Sequence, residues 1–188
     1  MDEAVLARHG ESETSAAGLV GGDAPLTEAG RAQARALGAA LVSRELDLCL
    51  TSGARRARET AELALAGLDV PTEVDPALGD VDFGAFDGRP LAEYRAWIEA
   101  HAPGETPPGG ESRVATLRRF CRAYRRVLAR PERRILVVAH GLTLTALADE
   151  RPRPVVAGVP YGAWLALRRE ELERAVARLE RWCEAPAW

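Results

Sequence analysis

The stretch Ala4-Val5-Leu6-Ala7-Arg8-His9-Gly10 decides which fold we expect for this chain. A short continuous apolar run is typical of a strand that is buried on both faces of a parallel sheet. Here the run ends abruptly in Arg8 and His9, and Gly10 permits a sharp turn away from the sheet. The pattern predicts an α/β protein that carries an arginine and a histidine at one edge of its sheet.

Two later segments repeat the pattern of an apolar run that is followed by polar residues. The run from Ile135 to Ala139 ends in a histidine and a glycine, and the run from Leu48 to Thr51 is followed by a helix over 54–66 with arginines in its first turns. The carboxyl ends of the strands in such a sheet gather the ligand site. We therefore expect two arginines and two histidines around one small volume: Arg8, His9, Arg56 and His140.

Apolar periodicity predicts the helices that cover the sheet. Thr27 is the expected N-cap of a helix whose apolar stripe comprises Ala29, Ala32, Leu37, Ala40 and Leu41. Amphipathic spacing indicates a second helix over 114–128, and a third follows over 142–149. Residues 164–167 fit a strand, whereas the residues after them fit a helical stripe better than alternation, so the C-terminal twenty residues, 169–188, are left open.

These elements predict a three-layer α/β/α sandwich with a mainly parallel central sheet and a small lid insertion. A chain of 188 residues that is 47% hydrophobic can bury an ordinary core, and we expect residues 1–188 to form a single domain. The strand and helix rhythm breaks between Asp75 and Gly110, where acidic residues and loops replace it. We therefore expect the lid at about 80–113.

Composition excludes several classes of function. The formal net charge of -3 gives no general attraction to nucleic acid or to an anionic membrane. Every basic residue is arginine, which excludes a Schiff-base lysine and the lysine of a nucleotide-binding P-loop. The cysteines form no CxxC pair and have no histidine at ligand spacing, so we expect no zinc site from Cys49, Cys121 and Cys183.

The expected surroundings of the protein follow from the same features. No apolar stretch is long enough to span a bilayer, and the first residues lack a basic, apolar leader, so we expect a cytoplasmic protein. We expect neither nucleic acid nor a membrane as its partner. We expect no metal ion and no organic cofactor, because histidine and arginine already fill the roles of a metal.

The expected cluster suits phosphoryl transfer. An unperturbed histidine has a pKa of roughly 6.5, so its neutral ring holds a free lone pair near pH 7 and can attack phosphorus without a separate base. Guanidinium groups bind phosphate oxygens and stabilise the charge that develops on them. A nearby carboxylic acid can supply the proton that the leaving alcohol needs.

The motifs of this chain resemble those of the histidine phosphatase superfamily, also called phosphoglycerate mutase-like. The opening Arg-His-Gly-Glu-Ser stands at 8–12, and Pro-Leu-Thr-x-x-Gly-x-x-Gln-Ala stands at 25–34. The block at 52–61 has glutamate in place of the family's glutamine. The blocks Asp-Phe-Gly-Ala-Phe-Asp-Gly at 82–88, Pro-Gly-Gly-Glu-Ser at 108–112 and Val-Val-Ala-His-Gly at 137–141 complete the series. They come in family order over most of the chain.

The resemblance implies a role for each matching residue. It implies His9 as the nucleophile, with Arg8, Arg56 and His140 binding the phosphoryl group. The proton donor is expected at Asp80, where the family usually has glutamate, with Asp82 as the weaker candidate. Many members have Trp-Asn after the first motif, and this chain has Thr14-Ser15 there, so Ser15 is the expected replacement for an asparagine contact to substrate.

The sequence leaves several functions open. We expect a metal-independent phosphomonoesterase that acts on a small phosphorylated metabolite through phosphohistidine. The alternatives are phosphoglycerate mutase-type transfer, removal of phosphate from a protein phosphohistidine, and a non-catalytic phosphate-binding module. The sequence names neither the phosphoester nor the oligomeric state.

Arginines outside the motifs are expected to be solvated surface groups. This applies to the arginines of the helix over 114–128, including Arg119, and to Arg113 beside a predicted helix cap.

Overall fold

The computed structural model describes residues 1–148 and 159–186. Its strands are β1 (Glu3–Arg8), β2 (Leu48–Thr51), β3 (Thr72–Val74), β4 (Arg134–Ala139) and β5 (Trp164–Arg168). Its α-helices are α1 (Glu13–Ala16), α2 (Glu28–Leu41), α3 (Arg55–Ala64), α4 (Leu91–Ala100), α5 (Arg113–Leu128), α6 (Gly141–Ala148) and α7 (Arg169–Glu184). Single 3-10 turns occupy Pro76–Leu78 and Gly84–Phe86.

The strands form one sheet in the order β3-β2-β4-β1-β5. All neighbouring pairs are parallel except β1 and β5, which are antiparallel. Arg8 at the end of β1 pairs with Ala139 at the end of β4. The residues that follow these two strands, His9 and His140, therefore emerge side by side. The predicted mainly parallel α/β sheet is confirmed.

Helices cover both faces of the sheet. On one face Leu6 of β1 packs in a core with Phe120 and Tyr124 of α5. On the other face Val5 of the same strand packs in a core with Leu37 of α2. Alternate residues of β1 thus enter opposite cores, which is why the strand reads as a continuous apolar run. The predicted three-layer arrangement is confirmed.

The apolar stripe predicted for α2 was rotated on the helix. Thr27 does cap the helix by accepting from the Gly30 N–H, but the buried positions are Gly30, Ala34, Leu37 and Leu41. Ala29, Ala32 and Ala40 are exposed. Small residues let this helix approach neighbouring backbone closely, because a Cβ on Gly30 would lie 2.0 Å from the carbonyl oxygen of Glu11 in the loop after β1. The buried face of α2 is therefore set by where neighbouring backbone comes close to the helix. The number of apolar side chains on a face does not decide it.

Other boundaries differ modestly from the predictions. The segment between β1 and α2 contains the short helix α1, which Ser12 caps, and neither α1 nor the short strand β3 was predicted. The strand expected over 164–167 is β5. The C-terminal residues that were left open contain α7, which follows β5 directly. The helix predicted to end at Asp149 is described through Ala148, and Asp149 lies outside the described residues.

The segment expected as a lid joins the loop that follows the first motif. The Val20 N–H donates to the Arg89 carbonyl at 2.9 Å, and the Gly88 N–H donates to the Val20 carbonyl at the same distance. The Leu91 N–H donates to the Gly18 carbonyl at 2.8 Å. These backbone bonds tie α4 to the loop beside His9. The single-domain organisation and the lid role of 80–113 stay predictions.

Among the described residues, no helix has the length and apolar character that crossing a bilayer requires.

Candidate active site

His9 is oriented by hydrogen bonds to both of its ring nitrogens. Its Nδ1 lies 2.7 Å from the Gly10 carbonyl oxygen, which can only accept, so Nδ1 carries the hydrogen. Its Nε2 lies 3.2 Å from Nε of Arg56, which can only donate. The Nε2 atom therefore carries a lone pair. The His9 side chain is buried apart from the face that lines a cavity.

Burial lowers the pKa of His9 well below its ordinary value, and the neighbouring His140 and Arg56 lower it further. The bond to the Gly10 carbonyl opposes this shift without cancelling it. His9 is therefore neutral at pH 7, which is the form that can act as a nucleophile.

Arg56 contacts several members of the cluster at once. It lies in the first turn of α3 and is buried. Its Nη1 donates to the Gly22 carbonyl at 2.7 Å, while Nη2 lies 3.3 Å from Nδ1 of His140 and 3.4 Å from Oδ2 of Asp80. One guanidinium group thus contacts both histidines and the candidate acid.

His140 is held in one tautomer. Its Nδ1 faces the donating Arg56, so Nε2 carries the hydrogen and donates to the Ser52 hydroxyl at 2.9 Å. The ring centroids of His140 and His9 are 5.2 Å apart in an edge-on arrangement. Burial, followed by the positive charge of Arg56, lowers the pKa of His140 well below its ordinary value. His140 is therefore neutral at pH 7.

Arg8 is positioned by an aromatic ring. Its guanidinium carbon lies 3.7 Å from the ring centroid of Tyr161, and it donates to the Val159 carbonyl. Its Nε is buried and has no hydrogen-bond partner within 1–148 and 159–186. A Cβ on Gly141 would lie 3.2 Å from this atom, so the glycine leaves space beside it. Burial lowers the pKa of Arg8 from its ordinary value.

Asp80, but not Asp82, lies in the cluster. Oδ2 of Asp80 is 3.4 Å from Nδ1 of His140 as well as from Arg56, and its side chain is 26% exposed toward the cavity. Oδ1 of Asp82 instead accepts from the Gly84 N–H at 3.1 Å, and Asp82 is exposed outside the cavity lining. Geometry therefore favours Asp80 over Asp82 as the acid.

Arg119 holds Asp80 in place, contrary to the expected surface role. Its guanidinium donates to the carbonyls of Ala77, Gly79 and Asp80 at 2.7–3.0 Å and pairs with Glu111 at 2.6 Å. Arg113 was also expected to be exposed, but it is buried and donates to the carbonyls of Ile98 and His101. Both predictions were wrong for the same reason. Backbone carbonyl groups at the ends of helices and turns lack a partner within their own segment and accept hydrogen bonds from arginine.

Ser15 lines the cavity, but its hydroxyl is hydrogen-bonded to the backbone of Ser12. It donates to the Ser12 carbonyl at 2.9 Å and accepts from the Ser12 N–H at 2.9 Å, which closes the cap of α1. Contact between Ser15 and substrate stays a prediction.

The cluster forms the polar floor of a cavity of about 460 Å³. Arg8, His9, Arg56 and Asp80 line the cavity together with apolar residues of the lid segment and of the loop at 18–21. His140 is buried and contacts the floor residue Arg56. Two guanidinium groups and the neutral His9 on this floor suit the binding of a phosphate dianion. A histidine that holds a lone pair there can attack phosphorus.

The family of the chain follows from its sequence match. The model of the histidine phosphatase superfamily (branch 1) matches residues 4–152. The chain belongs to the histidine phosphatase superfamily. Enzymes of this superfamily act on small phosphorylated substrates and include phosphatases and mutases, so the earlier resemblance is confirmed.

Relatives in the superfamily include both activities. A 2,3-bisphosphoglycerate-dependent phosphoglycerate mutase of Methylobacterium sp. (strain 4-46) is 41% identical over 160 residues, 76% of this chain and 77% of that protein. An adenosylcobalamin/alpha-ribazole phosphatase of Salmonella typhimurium is 37% identical over 153 residues, 76% of this chain and 75% of that protein. The crystal structure of an alpha-ribazole phosphatase from Shigella flexneri superposes with a TM-score of 0.74 at 29% identity, covering 87% and 89%.

No group of three or more histidine, cysteine, aspartate or glutamate side chains that could hold a metal ion occurs within the described parts of the chain. The three cysteines are buried and unpaired. The expectation of a reaction without a metal or organic cofactor stays a prediction.

Three residues of the superfamily site were missed by sequence reasoning. Tyr161 stacks on Arg8, Ser52 fixes His140, and Arg119 holds Asp80. The signal for Ser52 was present, because it directly follows the strand that precedes Arg56. Tyr161 and Arg119 lie far along the chain from their partners, and only the fold brings them together.

Proposed function

We propose that this protein hydrolyses a small phosphomonoester in two steps, through a phosphohistidine formed on His9. The observation that carries this proposal is the pair of contacts that orient His9: Nδ1 donates to the Gly10 carbonyl and Nε2 holds a lone pair beside Arg56. The buried ring is neutral at pH 7, so no proton has to leave before it attacks.

The substrate phosphate binds on the floor of the cavity in this proposal. The Nε of Arg8, which lacks a partner among the described residues, and the guanidinium of Arg56 donate to its oxygens. The dianion adds negative charge near His140 and so favours the protonated form of its ring. The protonated ring then donates from Nδ1 to a phosphate oxygen.

In the first step the lone pair of His9 Nε2 attacks phosphorus. The bond from phosphorus to the ester oxygen breaks, and Asp80 gives its proton to the departing alkoxide. In the second step water attacks phosphorus, the P–N bond breaks, and Asp80 takes the proton that the water loses. Arg8 and Arg56 stabilise the charge on the transferring oxygens in both steps.

A second candidate is phosphoglycerate mutase-type transfer, which the 41% identity to a mutase favours. The first step is then the same, but phosphohistidine returns its phosphoryl group to a phosphoglycerate and not to water. Incubation with 3-phosphoglycerate and 2,3-bisphosphoglycerate separates the candidates. Hydrolysis releases inorganic phosphate, whereas the mutase makes 2-phosphoglycerate with little release.

The proposal is tested by phosphate release from p-nitrophenyl phosphate in the presence of EDTA. We expect turnover by the native protein and its loss in His9→Ala. His101→Ala is the matched control, because this third histidine contacts Trp97 outside the cavity lining. Turnover that is equal in native protein and His9→Ala would overturn the proposal.

A further inference from the structure

The cavity has an apolar wall as well as a charged floor. The lining above the charged cluster includes Leu19, Val20, Val81, Phe83, Leu91 and Leu142, which we call the apolar wall. Val20 and Val81 belong to a small separate core with Tyr94 and Ile98, against which Phe83, Leu91 and Leu142 pack. The wall is therefore built by the lid segment, the loop after the first motif and the start of α6.

The apolar wall is continuous with the phosphate floor. Val81 directly follows Asp80, and Leu142 follows His140 by two residues. Hydrogen bonds between the loop at 18–20 and the segment at 88–91 hold Val20 and Leu91 close together above the floor. A phosphate seated beside His9 therefore shares one cavity with this wall.

Two arginines line the cavity outside the floor, and one of them, Arg113, is already engaged by backbone carbonyls. Arg113 lines the cavity, but its guanidinium donates to the carbonyls at the end of α4, those of Ile98 and His101. Arg95 is the other arginine that lines the cavity outside the floor. A leaving group with a carboxylate or several hydroxyls would lose water against the apolar wall, whose side chains offer it no hydrogen-bond partners.

We propose that the substrate is a phosphomonoester of an apolar alcohol, aliphatic or aromatic, in preference to a glycerol, glycerate or sugar phosphate. The inference rests on the proposed function, since it assigns the leaving group of the same reaction. Burial of the apolar part against Val20, Phe83, Leu91 and Leu142 supplies the binding energy. The chemistry at phosphorus is unchanged.

The test compares two primary alkyl esters, n-hexyl phosphate and glycerol 3-phosphate. Both release a primary alkoxide, so the difference in kcat/KM reports mainly on contact with the wall. We expect kcat/KM to favour n-hexyl phosphate by about tenfold or more. Leu91→Asn should reduce this preference several-fold by lowering the value for the hexyl ester alone, because Leu91 is a half-buried wall residue.

Leu68→Asn is the matched control, because Leu68 is 36% exposed and lies outside the cavity lining. It should leave the preference unchanged. If Leu91→Asn does not fold, Leu19→Asn on the opposite loop takes its place. Equal values for the two esters, or a higher value for glycerol 3-phosphate or 3-phosphoglycerate, would overturn the inference and leave the proposed function intact. No phosphate from any ester, p-nitrophenyl phosphate included, would overturn both.

Discussion

The Nε atom of Arg56 lies 3.2 Å from the Nε2 atom of His9. A guanidinium group only donates, so this contact identifies Nε2 as the nitrogen with the lone pair. Arg56 also reaches His140, Asp80 and the Gly22 carbonyl from the same group. The planar fork of donors in arginine makes this possible, and a lysine ammonium has no equivalent geometry.

Arg56→Lys should therefore lower kcat by about 10²–10³, as removal of a preorganised donor does at other oxyanion sites. The charge is kept, but contact with both histidines at once is lost. Steady-state kinetics with p-nitrophenyl phosphate measure the effect. Arg58→Lys, on the exposed side of the same helix, should retain activity close to the native value. Similar kinetics for the two variants would contradict the role given to Arg56.

Asp80→Asn should impair esters of basic alcohols more than esters of acidic phenols. An alkoxide needs a proton as it leaves, whereas a nitrophenolate is stable without one. We expect kcat/KM, which reports on the first step, to fall by about 10²–10⁴ for n-hexyl phosphate and much less for p-nitrophenyl phosphate. Asp82→Asn, outside the cavity lining, is the control and should leave both values close to native. An equal loss for both esters would argue against Asp80 as the acid.

The free energy of unfolding should fall as the pH drops below about 6.5. His9 and His140 have pKa values well below the ordinary value in the folded protein, chiefly because of burial, whereas the unfolded chain binds protons at about 6.5. Above this pH both states are neutral and the histidines have no effect. Below it the unfolded state gains protons first, which costs up to about 1.4 kcal/mol per pH unit for each histidine.

Urea unfolding at about pH 7.5 and about pH 5.5 measures this loss. The double variant His9→Gln with His140→Gln should show a shallower pH dependence, while carboxylates shared by both proteins cancel. Identical slopes would show that these two histidines titrate normally in the folded state.

Gly30→Ala should destabilise the fold by about 1–3 kcal/mol even though alanine favours helices. The new Cβ would lie 2.0 Å from the Glu11 carbonyl oxygen, so the backbone beside the first motif must move. Gly104→Ala is the control, because a Cβ there meets nothing within 4 Å. Thermal unfolding of both variants measures the difference. A Gly30→Ala protein as stable as Gly104→Ala would refute this close approach.

The sheet and most of the floor were predictable from the sequence for one physical reason. Strands buried on both faces read as apolar runs, and polar residues directly after them must lie at the sheet edge. This placed His9, His140 and Arg8 together, and the helix after β2 added Arg56. Asp80 was placed by motif spacing alone, and the geometry now supports it over Asp82.

The parts that were not predicted depend on contacts between distant residues. Tyr161 follows Arg8 by more than a hundred positions, and no local pattern links them. Arg113 and Arg119 lie on an amphipathic helix, where arginines are usually expected to be solvated. Both instead donate hydrogen bonds to backbone carbonyls of other segments. The buried face of α2 was misjudged because glycines make its closest contacts.

The most direct test of the central claim is to trap the phosphorylated enzyme. Native protein mixed with p-nitrophenyl phosphate is quenched in alkali within the first turnover, and peptides are mapped by mass spectrometry. The account predicts one phosphoryl group on the peptide that contains His9, its attachment at Nε2, and its loss during a chase without substrate. Release of inorganic phosphate at the native rate with no phosphoryl group on His9 at any time would contradict it.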